Sequence, residues 1–290
     1  MNILLCGASG FVGRHLETAL LNAGHKLSRG VRNPRGITDT AIDYRHDSAV
    51  ATWLPRLAGI DAVVNAVGVL RDSKAQPMAQ LHDAVPRALF AAAAQSGIKR
   101  IVQISALGAG TGINTPYMQT KQAADEFLQT LDIDWAILRP SLIYGQDGAS
   151  TRMFMLLSQM PVVMLPEGGK QIVQPVHIND IAQAVVNLLS PVATCPPLRS
   201  IIECVGRENV TVAGLISSYR TQRGSKAPWI VAMPDTLLKT VAWFGDRIPA
   251  MPVGSDTLTM LAAGSRGDGE RFIKLLGHTP LSYREFLREH

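Results

Sequence analysis

The sequence predicts an α/β fold, a doubly wound parallel sheet with a smaller C-terminal lobe, and three observations carry that prediction. Short β-rich runs alternate with longer Ala- and Leu-rich helical stretches through the first half of the chain. A Gly-rich loop joins the first strand to the first helix. Beyond Arg139-Pro140 the alternation loosens into Pro- and Gly-rich segments such as Leu165-Pro166-Glu167-Gly168-Gly169 and Cys195-Pro196-Pro197.

Strand Asn2–Cys6 leads into a helix over 14–23 and a second strand over 25–31. Further strands are expected over 62–67, 100–105 and 135–138, separated by helices over 80–96 and 117–131. Right-handed crossovers between such strands give a Rossmann-type sheet. Residues 1–140 are expected to form that domain and 141–290 the smaller lobe, with later strands returning to the main sheet. In the lobe, a helix over 180–189 is expected to take Asp180 as its N-cap, with His177 a packed histidine. Met153, Met155, Met160 and Met164 could line an adaptable pocket, although filling the seam between the lobes is the plainer use. A helix over 234–248 gathers Leu237, Leu238, Val241 and Phe244 near one face and is expected to pack on its own lobe. A membrane-surface or partner contact is the other use for its apolar cluster with Trp243 and Met251.

At 290 residues the chain can bury a sizeable core unaided. Cys6, Cys195 and Cys204 show neither metal-ligand spacing nor the density of a secreted scaffold, so each is expected to be a small hydrophobe in a reducing, cytoplasmic setting. No charged leader precedes the first apolar run at Ile3, and no run approaches the roughly 18 apolar residues of a membrane span. The net charge of +5 is scattered and aromatics make up 6% of residues, which argues against a nucleic-acid surface. An anionic cofactor or an acidic lipid would use that charge equally well.

The loop Gly7-Ala8-Ser9-Gly10-Phe11-Val12-Gly13 lies between a strand and a helix, where backbone N–H groups and the helix dipole can meet a pyrophosphate. A dinucleotide is the expected ligand. At the end of the second strand, where NAD-specific folds carry an acid, this chain has Val31 flanked by Arg29 and Arg32. Guanidinium groups suit the 2′-phosphate of NADP, so NADPH is expected over NADH; solvated strand-end arginines are the alternative. Asp47 falls where the third strand is expected to end, as an acceptor for the adenine amino group or a plain Asx turn. Asn65 and Gly68, in Asn65-Ala66-Val67-Gly68, are expected over the adenine ribose.

Thr115-Pro116 reads as an N-cap followed by Pro at the first helical position, which sets Tyr117 and Lys121 one turn apart on one face. A neighbouring ammonium would lower the phenol's pKa from its usual value of about 10 and prepare it for proton transfer. Ser105 ends the preceding strand and can bring its hydroxyl beside that phenol, a pair able to bind a substrate oxygen.

The glycine spacing, Ser105-Ala106-Leu107-Gly108-Ala109, Tyr117xxxLys121, Leu138-Arg139-Pro140-Ser141-Leu142-Ile143-Tyr144-Gly145 and Gln174-Pro175-Val176-His177-Ile178-Asn179-Asp180 together resemble the short-chain dehydrogenase/reductase superfamily over residues 1–189. They resemble its atypical branch, similar to the nucleotide-binding accessory subunit of respiratory complex I. The resemblance implies Ser105 holding the substrate oxygen, Tyr117 as acid/base, Lys121 tuning the phenol and touching the nicotinamide ribose, and Pro140 bordering the nicotinamide. Where many members carry an active-site Asn, this chain offers His82 or Asp83. The implied activity is reduction of a small carbonyl compound with NADPH. Two alternatives stay open, a protein that holds the nucleotide for structural or redox-sensing purposes through partners, and an epimerase or dehydratase.

Overall fold

The computed structural model describes residues 1–73, 75–190, 199–248 and 253–288, so Cys195 and Met251 lie outside the described residues. The chain runs β1 (Asn2–Cys6), α1 (Phe11–Asn22), β2 (Lys26–Val31), β3 (Asp39–Ala41), α2 (Val50–Trp53), β4 (Ala62–Asn65), α3 (Val85–Gln95), β5 (Arg100–Ile104), α4 (Pro116–Gln129) and β6 (Asp134–Pro140). It continues through β7 (Ile143–Tyr144), α5 (Ala149–Leu157), β8 (Val162–Pro166), β9 (Ile172–Val173), β10 (Val176–His177), α6 (Ile178–Leu189) and β11 (Ser200–Cys204). It closes with β12 (Val210–Thr211), α7 (Val212–Gln222), β13 (Trp229–Met233), α8 (Asp235–Arg247), α9 (Ser255–Ala263) and α10 (Glu270–Leu276).

Seven strands form one parallel sheet in the order β11-β6-β5-β4-β1-β2-β3. The order reverses between β1 and β4, and a sheet of this kind binds its ligand at that switch point. Ile3 to Cys6 and Ala62 to Asn65 are buried without alternation, as strands covered on both faces must be. One face packs on α1 and α6 through Leu16, Leu20, Ile181 and Val185; the other carries Trp53, Leu89 and Leu128. A third apolar cluster, with Tyr144, Phe154, Leu215, Tyr219 and Phe286, fills the C-terminal part. The C-terminal half also re-enters the first two layers: β11 pairs with β6, and Phe272, Leu275 and Leu276 of α10 share a cluster with Ile3 and Leu5.

Four elements depart from expectation for identifiable reasons. The helix expected over 80–96 begins as a π-helical turn, Gln80–Ala84, before α3. Pro86 lies near the start of α3, lacks an N–H and crowds the carbonyl four residues back, which widens the turn. The third strand stops at Ala41, well before Asp47. His177, not Asp180, caps α6: its Nδ1 accepts from the N–H of Asn179 at 3.2 Å, while Asp180 accepts from the N–H of Leu281 at 3.0 Å.

The fourth departure is α8, whose apolar stripe packs only in part: Leu238 and Val241 are half-buried, while the rest turns outward. Leu237, Trp243 and Phe244 are 41, 50 and 47% exposed, and Gly245 is its buried residue. A Cβ on Gly245 would fall 1.8 Å from the carbonyl oxygen of Val253, so close backbone packing on that side turns Leu237 and Phe244 outward. Met153 and Met155 pack on the third cluster, whereas Met160 and Met164 are exposed. No helix among the described residues is long and apolar enough to cross a membrane.

Candidate active site

The loop after β1 is built for close approach. Gly7 takes a φ of +82°, and a Cβ on Gly13 would fall 2.0 Å from the carbonyl oxygen of Gly7. The Gly10 N–H closes the turn on Gly7 O at 2.9 Å, and helical bonding in α1 starts with Arg14 N–H on Gly10 O at 3.0 Å. The N–H groups of Phe11, Val12 and Gly13 therefore precede the first bond of the helix and suit a phosphate. The Phe11 side chain turns away, onto Gly145 and Gly148.

An open cleft begins at this loop, with Gly7, Ser9, Gly10 and Gly68 among its lining residues. Arg32 lines it too, exposed and in no ion pair among the described residues. Arg29 does not line the cleft; it is paired with Glu17 at 2.9 Å and Asp39 at 3.2 Å. Asp47 is also turned to structural use, accepting from the N–H of Asp43 at 2.6 Å and from Arg56 at 2.7 Å. Asp43, Tyr44 and Arg45 line the cleft where Asp47 was expected. Arg45 holds the Asp43 carboxyl well below the usual carboxylate range. Because β3 is three residues long, the cleft edge comes four positions earlier than strand length suggested.

Asn65 lies behind the cleft wall, fully buried. It accepts from the Tyr44 hydroxyl at 2.9 Å and donates to Gln103 at 2.8 Å, which fixes the end of β4. Gly68 places backbone beside Lys121: a Cβ there would be 3.4 Å from Nζ. Pro140 ends β6 in register with Cys204, its carbonyl accepting from Leu107 N–H at 2.8 Å.

Thr115 caps α4 as expected, accepting from Met118 N–H at 3.3 Å, with Pro116 next. Tyr117, Lys121 and Asp125 follow one another at four-residue intervals along one face of α4. Lys121 is buried and clamps two strand ends, donating to Ile104 O at 2.9 Å and Val67 O at 3.1 Å. Burial pulls its pKa down to about 8, opposed by the charge of Asp125.

Two expectations are corrected here. Burial, followed by the Asp125 charge, pushes the Tyr117 phenol up to about 12; Lys121, held by carbonyls, does not draw it down. Ser105 directs its hydroxyl away from a substrate role, donating to Asp125 Oδ2 at 2.7 Å. Arg139 donates to the same oxygen at 3.0 and 3.1 Å, and desolvation raises the pKa of this fully buried carboxyl. Asp125 is the residue that sequence reasoning missed; its i+4 spacing from Lys121 was the available signal.

The position opposite Tyr117 belongs to His82, whose ring meets the phenol edge-on at 5.4 Å. Asp83 instead pairs with Arg87 on the surface at 2.5 Å. His82 Nε2 accepts from Val69 N–H at 2.9 Å, so the ring proton sits on Nδ1 and is given to Thr120 Oγ1 at 3.1 Å. Burial, then the Lys121 charge, lowers the His82 pKa to about 2, which keeps the ring neutral.

A glycine cradle at the switch point of a parallel sheet defines a nucleotide-binding protein of Rossmann type. The chain belongs to the NAD(P)H-binding family, whose model matches residues 7–191. Among curated relatives it is similar to ceramide reductase of Caulobacter vibrioides, 25% identical over 242 residues that cover 80% of this chain and 74% of that one. It is likewise 25% identical over 198 residues to NADH dehydrogenase [ubiquinone] 1 alpha subcomplex subunit 9 of Arabidopsis thaliana, covering 63% of this chain and 48% of that protein, about half its length. The resemblance to atypical short-chain dehydrogenase/reductases is thereby supported. Among solved structures, a nucleoside-diphosphate-sugar epimerase from Staphylococcus aureus shares the fold with a TM-score of 0.76 at 21% identity, 100% of both chains being covered. The NADPH-dependent quinone oxidoreductase of Escherichia coli, complexed with NADPH, shares it with a TM-score of 0.73 at 20% identity, covering 99% of this chain and 98% of that one.

Proposed function

We propose that this protein is an NADPH-dependent reductase of a carbonyl compound, with Tyr117 as the proton donor. The observation that carries the reading is the α4 face, where the phenol stands one turn from a buried lysine clamped beside Gly68 of the cleft. The N–H groups at the start of α1 and the Gly7–Gly13 cradle fit a pyrophosphate, and the unpaired Arg32 suits a 2′-phosphate. When bound, NADPH supplies the hydride. A phenol pushed up to about 12 is fully protonated at neutral pH, so Tyr117 is prepared to give a proton, the direction reduction needs. Ser105 is positioned by Asp125 and takes no donor role. The name of the Caulobacter relative, ceramide reductase, agrees with reduction.

A second reading, a protein that holds NADPH and acts through partners, is favoured by the Ser105–Asp125 bond, because it removes the second donor expected at a substrate oxygen. Tyr117→Phe separates the two. For a reductase, NADPH affinity measured by fluorescence titration survives while carbonyl-dependent NADPH oxidation falls by about 10²–10⁴-fold; Lys121→Ala harms both. Wild-type protein that binds NADPH yet reduces nothing in a carbonyl screen, ceramide-type lipids included, overturns the reductase reading.

A further inference from the structure

We propose that the outer face of β8 and β13, together with the outward stripe of α8, docks this protein on the surface of an anionic lipid bilayer. The proposal stands independently of the reductase reading. β8 and β13 form a parallel pair in which Trp229 lies opposite Val162 and Val231 opposite Met164. All four side chains are exposed, by 78, 50, 42 and 42% respectively. Their neighbours Val163, Leu165 and Ile230 point the other way, into the third cluster. This small sheet is thus apolar on both faces, and one of them is wet. An exposed contiguous apolar patch of this kind marks a contact surface.

The strand leads through Pro234 directly into α8, where the apolar residues Leu237, Val241 and Phe244 recur at helical spacing, with Ile248 directly after its last turn. Leu237, Phe244 and Ile248 are 41, 47 and 42% exposed, and Trp243 beside them packs edge-on to Phe244 at 4.8 Å. Trp, Phe and Leu on an outward helix stripe are the side chains that enter the headgroup boundary.

Charge decides the kind of surface. Residues 220–248 contain five basic side chains, Arg220, Arg223, Lys226, Lys239 and Arg247, against two acidic ones, Asp235 and Asp246. A surplus of three positive charges, out of the whole chain's +5, therefore falls on the stretch that exposes the aromatics. None of the five is in an ion pair among the described residues; Arg220 is held by backbone carbonyls, and Arg247 lies over the Trp243 ring at 3.8 Å. Basic side chains on the stretch that carries the exposed Trp and Phe complement an anionic headgroup layer.

The test is sedimentation of the full chain, with NADPH present, on vesicles of phosphatidylcholine alone and of phosphatidylcholine mixed with phosphatidylglycerol. The mixed vesicles should pull the protein down, less so as salt rises, with a blue shift in tryptophan emission from Trp229 and Trp243; Trp53 and Trp135 are already buried. Phe244→Asp, at an exposed position, should keep the fold by circular dichroism and weaken vesicle binding at least about tenfold. Arg223→Glu with Lys226→Glu, both exposed, should do the same without touching the apolar face. Failure to bind the mixed vesicles, binding indifferent to lipid charge, or variants that bind as wild type would overturn the proposal. So would a dimer dispersed by Phe244→Asp in the absence of any vesicle binding.

Discussion

Arg32 stands on the cleft wall in no ion pair among the described residues, three positions from an arginine that Glu17 and Asp39 already hold. The whole preference for a 2′-phosphate should therefore rest on one guanidinium rather than on two. Charge-assisted hydrogen bonds of this kind contribute about 1.5–3 kcal/mol, roughly ten- to hundredfold in affinity. Arg32→Ala should bring NADPH binding down to that of NADH in parallel titrations, while Arg29→Ala should leave the ratio alone and cost stability. An unchanged ratio in Arg32→Ala would remove the assignment. The sequence made Arg29 and Arg32 look equivalent because both flank Val31; which of them is engaged depends on Glu17 and Asp39, brought in by α1 and β3. Asp47 was misplaced for the same kind of reason, since the length of β3 is set by pairing with β2 and leaves no local mark.

At the scale of elements, α6 begins on a histidine whose cap works only while the ring is neutral. His177 Nδ1 accepts a backbone N–H, and the ring packs against the stacked pair Tyr144 and Phe286 with centroids 5.4 Å from each. Burial, then the charge of His15, pulls its pKa from 6.5 down to about 4. Between those values the unfolded chain takes up a proton that the native state refuses. The stability is thus present in full above pH 6.5 and lost as pH falls towards 4. Denaturant midpoints across that range should show a loss on the order of 2–3 kcal/mol from this group, with His82 adding in the same direction. His177→Asn keeps a cap acceptor that does not titrate and should flatten the slope; an identical slope would assign the acid sensitivity elsewhere. Strand and helix positions in the first half were legible because buried parallel strands read as unbroken apolar runs. The π-helical turn was not, because its cause, Pro86, is also an ordinary helix-start residue.

For the whole molecule, the division at Pro140 describes the order of the chain better than its packing. Phe272 of α10 is fully buried in the cluster that contains Ile3, Leu5 and Leu16. Phe272→Ala should cost about 3–5 kcal/mol and weaken the nucleotide cleft along with the C-terminal part, in a single urea transition. A variant that loses the C-terminal part first while still binding NADPH would restore two independent units. The return of a later strand to the main sheet was expected from the sequence, and β11 makes it; the seat of α10 was not, since a seven-residue amphipathic helix carries no address for the surface it covers. The outward stripe of α8 was hidden for the opposite reason: an apolar periodicity looks the same whether it faces a core or the outside.

The hydrogen bonds around His82 all point one way. Val69 N–H gives to the imidazole, the imidazole gives to Thr120, and the Thr120 hydroxyl gives to the carbonyl of Pro116 at 2.8 Å. The Thr120 hydroxyl also reaches the carbonyl of Tyr117 at 3.2 Å, and both of its acceptors are main-chain oxygens, which have no proton to pass on. To reverse the chain, the ring would have to accept a proton at Nε2, where a backbone amide already sits and where its pKa of about 2 refuses one. His82 therefore acts as a strut between the cleft loop and α4 and not as a wire, so on the proposed reading a proton given up by Tyr117 has to be replaced by a route other than this ring.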